Sequence, residues 1–153
     1  MNEIITIRKE CLPAQFLENL FLEFDSQFAE RLNQTVSLKA YCCKLSENAH
    51  FVIAEQNDRY VGLVAFYINN INKELFIPYI CVRSSFRKMG IADSMMEYVC
   101  KEADMMGFDV SLEVRNNNIS ARKLYFKHGF KILIEGEVKS LMKRIFSKKE
   151  YYG

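Results

Sequence analysis

An apolar run, Ile77-Pro78-Tyr79-Ile80-Cys81-Val82, is followed after four residues by Arg87-Lys88-Met89-Gly90-Ile91-Ala92 and a helical pattern that reaches Met106. A strand that enters a helix through a short, basic, glycine-bearing turn points to a layered α/β arrangement. The first turn of a helix exposes amide N–H groups that have no partner within the helix. A glycine there lets a bulky anion approach the backbone. The aligned peptide dipoles add roughly half a positive charge at that end. Arg87 and Lys88 place two whole charges beside it. The segment reads as a diphosphate cradle.

At 153 residues the chain is expected to be one domain, residues 1–153, large enough to bury a core. Half the residues are hydrophobic and 26% are charged, a globular mixture rather than a disordered one. The first ten residues carry Glu3, Arg8, Lys9 and Glu10 and read as neither a signal peptide nor a membrane span. The five cysteines (Cys11, Cys42, Cys43, Cys81 and Cys100) show no CxxC spacing, which favours reduced cytoplasmic thiols over disulfides or a metal site. Residues 1–80 hold 7 Lys/Arg against 10 Asp/Glu, whereas residues 81–153 hold 14 against 9. A basic half that contains the cradle fits an anionic cofactor. Acidic residues interrupt it too often for nucleic acid to be the expected partner.

Ile4–Arg8 reads as a first strand. Phe16, Leu17, Leu20, Phe21, Phe24 and Phe28 recur at helical spacing, with Pro13 near the helix start. A shorter helix is expected after Thr35 or Ser37, through Leu38, Tyr41, Cys42 and Leu45. Strands over 49–56 and 59–69 join through an Asn57-Asp58 turn, and a third strand covers 74–82. A helix over 90–106 stops at Gly107, a strand covers 109–115, and Asn116-Asn117-Asn118 opens a helix to His128 and Gly129. A hairpin of 130–134 with 138–145 follows, and the basic tail after Ser147 is expected to fray. This order predicts an α/β fold: a single mixed, mostly antiparallel central sheet flanked by helices. Pro78 cannot donate to a ladder, so its strand should bulge or part from a neighbour there.

Two groups of residues carry a family resemblance. Arg87, Gly90 and Ala92 match an Arg/Gln-x-x-Gly-x-Gly/Ala pattern. Asn118, Ala121, Leu124 and Tyr125, followed by Gly129-Phe130, match Asn-x-x-Ala-x-x-Leu-Tyr and a Gly-Phe pair. With both in order, the chain resembles the GNAT superfamily of N-acetyltransferases. The resemblance implies acetyl-CoA as cofactor and a primary amine as acceptor, in a small molecule or amino sugar. It implies that the backbone of Ile80, Cys81 and Val82 pairs with the pantetheine arm. Amides from Lys88 through Met89, Gly90 and Ile91 to Ala92 would hold the diphosphate, with Arg87 and Lys88 adding charge. Asn118 would touch the cofactor arm, and Tyr125 would lie near its sulfur. A homodimer through the last strands is common among relatives.

Direct attack of an amine on a thioester needs a base for the amine, donors for the oxyanion, and an acid for the departing thiolate. Tyr125 is the candidate acid. A thiol near ~8.5 and a phenol near ~10 differ by about 1.5 pKa units, or roughly 2 kcal/mol. Its alternative is an amphipathic core tyrosine. The base is open. Phe76 stands where some relatives carry a glutamate, which leaves Glu74, Glu55 or a water chain. For Glu74 a plain strand-end charge is the competing reading. Asn118 can cap its helix while touching cofactor, and Tyr79 either lines the acceptor pocket or packs. Acetylation of a protein N-terminus or lysine is the enzymatic alternative. An acyl-CoA sensing module without turnover is the non-enzymatic one.

Overall fold

The computed structural model describes residues 4–34 and 37–148. The fraying expected after Ser147 falls largely outside them, and Thr35, one of the two expected helix starts, falls wholly outside. The elements run β1 (Thr6–Glu10), α1 (Ala14–Phe24), α2 (Ser26–Asn33), α3 (Leu38–Asn48), β2 (His50–Gln56), β3 (Arg59–Asn69), β4 (Glu74–Val82), α4 (Ile91–Met106), β5 (Asp109–Arg115), α5 (Ile119–Lys127), β6 (Lys131–Glu135) and β7 (Lys139–Arg144). The seven strands form one sheet in the order β1-β2-β3-β4-β5-β7-β6. β4 and β5 pair in parallel; β1 with β2, β5 with β7 and β6 with β7 pair antiparallel. This is the mixed, mostly antiparallel sheet that the element order predicts. By internal contacts the chain divides into two compact units, Met1–Ala65 with Tyr79–Met95 and Phe66–Pro78 with Met96–Gly153.

In the first unit, α1 buries Leu17, Leu20, Phe21 and Phe24 at helical spacing. Asp25 then breaks the helix at φ −154°, ψ 70°, and its carboxylate accepts from the Phe28 amide at 3.2 Å to cap α2. The single helix predicted from Phe16 to Phe28 is therefore two. α3 is capped by Ser37, whose hydroxyl accepts from the Ala40 amide at 3.1 Å. β1 lies two residues later than predicted, with Thr6 opposite Glu55 and Glu10 opposite Phe51. Its Arg8 holds Glu55 at 2.9 Å, which keeps that carboxyl below its usual range. Asn57 and Asp58, at φ 51° and 62°, make the expected two-residue turn from β2 to β3.

In the second unit, β4 meets β5 only over Glu74–Ile77 against Asp109–Leu112. That ladder ends one residue before Pro78, which brings no N–H of its own. β7 buries Ser140 and Met142 and pairs with β5 from Val110 opposite Arg144 to Arg115 opposite Lys139. Arg144 forks onto Asp104 at 2.8 and 2.9 Å and also donates to the His128 carbonyl at 3.2 Å. These bonds tie β7 to the ends of α4 and α5. No described helix is long and apolar enough to cross a membrane.

Candidate active site

After Val82 the chain passes Arg83 and one 3-10 turn, Ser84–Phe86, before the cradle. Arg83 is 7% exposed. Its Nε and Nη2 donate to the Tyr60 carbonyl at 3.2 and 2.9 Å, and its Nη1 donates to Glu23 at 2.6 Å. The guanidinium carbon sits 4.5 Å over the Phe24 ring. The Arg83 amide donates to the Val61 carbonyl, and its own carbonyl accepts from the Phe86 amide, each at 2.8 Å. Arg83 therefore fixes where the cradle begins. Sequence reading missed it, because a single arginine in a loop looks like solvated charge; its position directly behind a buried strand was the available signal.

Lys88 and Gly90 take left-handed backbone, at φ +64° and +81°. For lysine that conformation costs roughly 1–2 kcal/mol, strain of the kind kept at ligand-binding turns. The Ser94 amide makes the first helical bond of α4, to the Gly90 carbonyl at 3.0 Å, and the Ser94 hydroxyl adds a second at 3.1 Å. The amides of Ile91 and Ala92 thus precede the helical ladder. A methyl group at Gly90 would have no heavy atom within 4 Å, so the space over this turn is open. Arg87, Lys88 and Met89 are exposed around it. Arg87 also folds back, its Nε donating to the Val82 carbonyl at 3.1 Å, so it braces the end of β4 as well as charging the loop.

On β4, Ile80 is half-buried, and Cys81 and Val82 are buried. Burial pushes the Cys81 thiol above its ordinary value, which disfavours a thiolate nucleophile. All five cysteines are free thiols.

Asn118 caps α5: its side-chain oxygen accepts from the Ala121 amide at 3.1 Å and from the Ser120 hydroxyl at 3.4 Å. At the far end the Phe130 amide reaches back to the Tyr125 carbonyl at 3.0 Å, with Gly129 at φ +90° between them. That is a left-handed helix stop, and it explains physically why tyrosine, glycine and phenylalanine occur at this spacing. The Tyr125 ring lies 5.8 Å from Phe130 and is 5% exposed. Burial pushes its phenol up to about 12. Against a thiol near ~8.5 the gap is then about 3.5 units, roughly 5 kcal/mol for complete proton transfer, more than the ordinary values suggest.

The candidate bases are engaged. Glu74 sits at the opposite end of β4 from Val82, roughly 26 Å of extended chain away. Lys143 lies 3.6 Å from both Glu74 and Asp109, a three-member ion cluster. The strand-end charge is the reading this placement supports. Glu55 is held by Arg8. A hollow of about 590 Å³ lined by Cys11, Ser46 and His50 lies at the Glu10 end of the β1–β2 pair and contains none of the cradle residues.

Solved proteins share this fold. The PaiA N-acetyltransferase of Thermoplasma acidophilum, solved in complex with coenzyme A, superposes with a TM-score of 0.70 at 14% identity, over 92% of this chain and 99% of that one. The ribosomal-protein-S18-alanine N-acetyltransferase of Escherichia coli gives 0.71 at 18% identity, over 93% and 95%. A curated relative, GCN5-related N-acetyltransferase 6, chloroplastic, of Arabidopsis thaliana, is 38% identical over 71 residues, 46% of this chain and 25% of that protein. The matching stretch thus spans about a quarter of that relative's length. The Acetyltransferase (GNAT) family model matches residues 2–130, and the chain belongs to that family.

Proposed function

We propose that the chain is a single acetyltransferase domain that moves an acetyl group from acetyl-CoA to the primary amine of a small molecule. The observation that carries this is the turn from Lys88 to Ala92: two left-handed residues, open space over Gly90, and amides ahead of the α4 ladder. Backbone donors at a helix start, with Lys88 beside them, suit a diphosphate. Arg87 holds the loop and contributes charge. The β4 main chain from Ile80 to Val82, beyond the ladder that ends at Ile77, is read as the edge that receives an extended arm. Asn118 is read as a contact of the same arm in addition to capping α5 through its side-chain oxygen.

Acetyl-CoA, when bound, supplies an activated thioester carbonyl. Tyr125 is read as the acid. With its pKa at about 12 the phenol stays protonated throughout the physiological range and acts by donating a hydrogen bond to developing thiolate charge rather than by ionising. Because Glu74 and Glu55 are both held in ion pairs, the amine proton is assigned to water rather than to a carboxylate. That engagement of both acids also favours a second reading, an acyl-CoA sensor without turnover.

Thiol release from acetyl-CoA across a panel of amines separates the two. Release with any small amine supports transfer; tight coenzyme binding without release on any amine supports the sensor. The edge strand β6 leaves Leu133 and Ile134 at 55% and 61% exposure, which supports a homodimer along that edge. The free thiols support a reducing, cytoplasmic setting.

A further inference from the structure

Gly62 lies in the interior of β3, between the buried residues Val61 and Leu63. A glycine inside a strand weakens it, because it has more freedom to lose on folding and no side chain to pack. Its backbone is not left-handed, unlike that of Gly90, Gly107 and Gly129, so conformation does not call for glycine here. Space does. A methyl group at residue 62 would lie 2.9 Å from Cε and 3.1 Å from Sδ of Met95, and 3.2 Å from Cγ2 of Ile91. Carbon atoms in contact rest at about 3.5–4.0 Å. The missing side chain is therefore the room into which the first turn of α4 settles on the sheet.

The two neighbours would yield differently to an added methyl. The thioether end of Met95 is flexible but fully buried, so it moves only against packed atoms. Ile91 is buried too, and a β-branched side chain is stiff at χ1. Pressure on its Cγ2 passes straight to the main chain of the residue that opens α4 and whose amide precedes the helical ladder. Beside Gly62, the Val61 carbonyl accepts from the Arg83 amide at 2.8 Å. Adjacent residues of β3 thus seat both ends of the loop from Arg83 to Gly90. Val61 holds the first end by a hydrogen bond, and Gly62 receives the second by contact.

We propose that Gly62 is a positioning residue for the cofactor: by carrying no side chain it lets Ile91 rest against β3 and so sets the height of the cradle amides. This deepens the acetyl-CoA reading of the cradle and rests on it.

The test is calorimetric titration of coenzyme A, well below Tm, into the parent, Gly62→Ala, Ile91→Ala and the double variant, with folding checked by circular dichroism. Gly62→Ala is expected to bind coenzyme A about ten-fold more weakly, the loss of roughly one charge-assisted hydrogen bond. Overpacking should also lower its Tm by about 2–8 °C. Once Ile91→Ala has removed the Cγ2 contact, adding Gly62→Ala should change coenzyme affinity by less than about two-fold. If Gly62→Ala alone does not fold, it is compared within Met95→Ala, which removes the two nearer contacts and leaves that of Ile91; the same loss of about ten-fold is expected there. A lower Tm with unaltered coenzyme affinity makes Gly62 a packing residue only and overturns the proposal. Equal weakening with and without Ile91→Ala overturns it as well, since the effect would not pass through that side chain. A parent that binds no coenzyme A removes the cradle and this inference with it. A parent that binds, with Gly62→Ala binding equally well, overturns this inference alone.

Discussion

The buried arginine behind β4 allows a quantitative forecast about which of its contacts anchors the loop. Arg83 has a side chain 9% exposed, but its partner Glu23 is 51% exposed. Water screens an ion pair with one partner half in solvent, so its contribution is put below about 1 kcal/mol. The two bonds to the Tyr60 carbonyl are charge-assisted and part-buried, and hydrogen bonds to charged groups contribute about 1.5–3 kcal/mol. The Phe24 face adds about 0.5–1 kcal/mol. Arg83→Met keeps most of the stem volume and relieves the guanidinium's desolvation, which offsets part of the loss. The net expectation is destabilisation of about 2–3 kcal/mol for Arg83→Met and under about 1 kcal/mol for Glu23→Gln. Urea unfolding followed by far-UV circular dichroism measures both, with an unchanged m-value required. If Glu23→Gln costs as much as Arg83→Met, the ion pair is the anchor and the carbonyl argument is wrong.

Other outcomes are equally specific. Tyr125→Phe should lower turnover about 10²-fold or more with coenzyme affinity within about two-fold; unchanged turnover removes the phenol from the chemistry. Gly90→Val should weaken coenzyme A binding by more than about 100-fold, since a side chain would fill the open space over the turn and left-handed backbone adds roughly 1–2 kcal/mol of strain. Normal coenzyme binding in that variant counts against the cradle. Arg8 lowers the Glu55 pKa, so the pair's stabilisation is present above the ordinary value of 4.5 and is lost as pH falls through the lower folded value. Glu55→Gln should therefore be less stable than the parent near neutrality and converge with it in acid; a gap that persists in strong acid refutes the assignment.

Much of the local backbone geometry around the candidate site was legible because its signals are local. The turn at 87–92 follows from a strand, two cations, a glycine and a helix in sequence, and the Gly129 stop follows from glycine at a helix end. The helix break at Asp25 was hidden because the aromatic period runs on through Phe28, although an aspartate followed by serine is a cap signal. The first strand starts two residues later than its apolar residues suggest, and Ile4 is 69% exposed. What could not be read was long-range pairing. Nothing near Glu74 announces Lys143, and nothing near Arg83 announces Glu23 or Tyr60. The backward turn of Arg87 onto Val82 likewise depends on a rotamer, not on composition.

The bond from Phe130 back to Tyr125 across Gly129 means that the aim of the phenol is controlled from downstream. A side chain added at residue 129 would let the final coil of α5 unwind and the aromatic ring swivel, without touching any reactant. With Tyr125 in its proposed role, damage there would look like a catalytic lesion and would in fact be a loosened hinge pin.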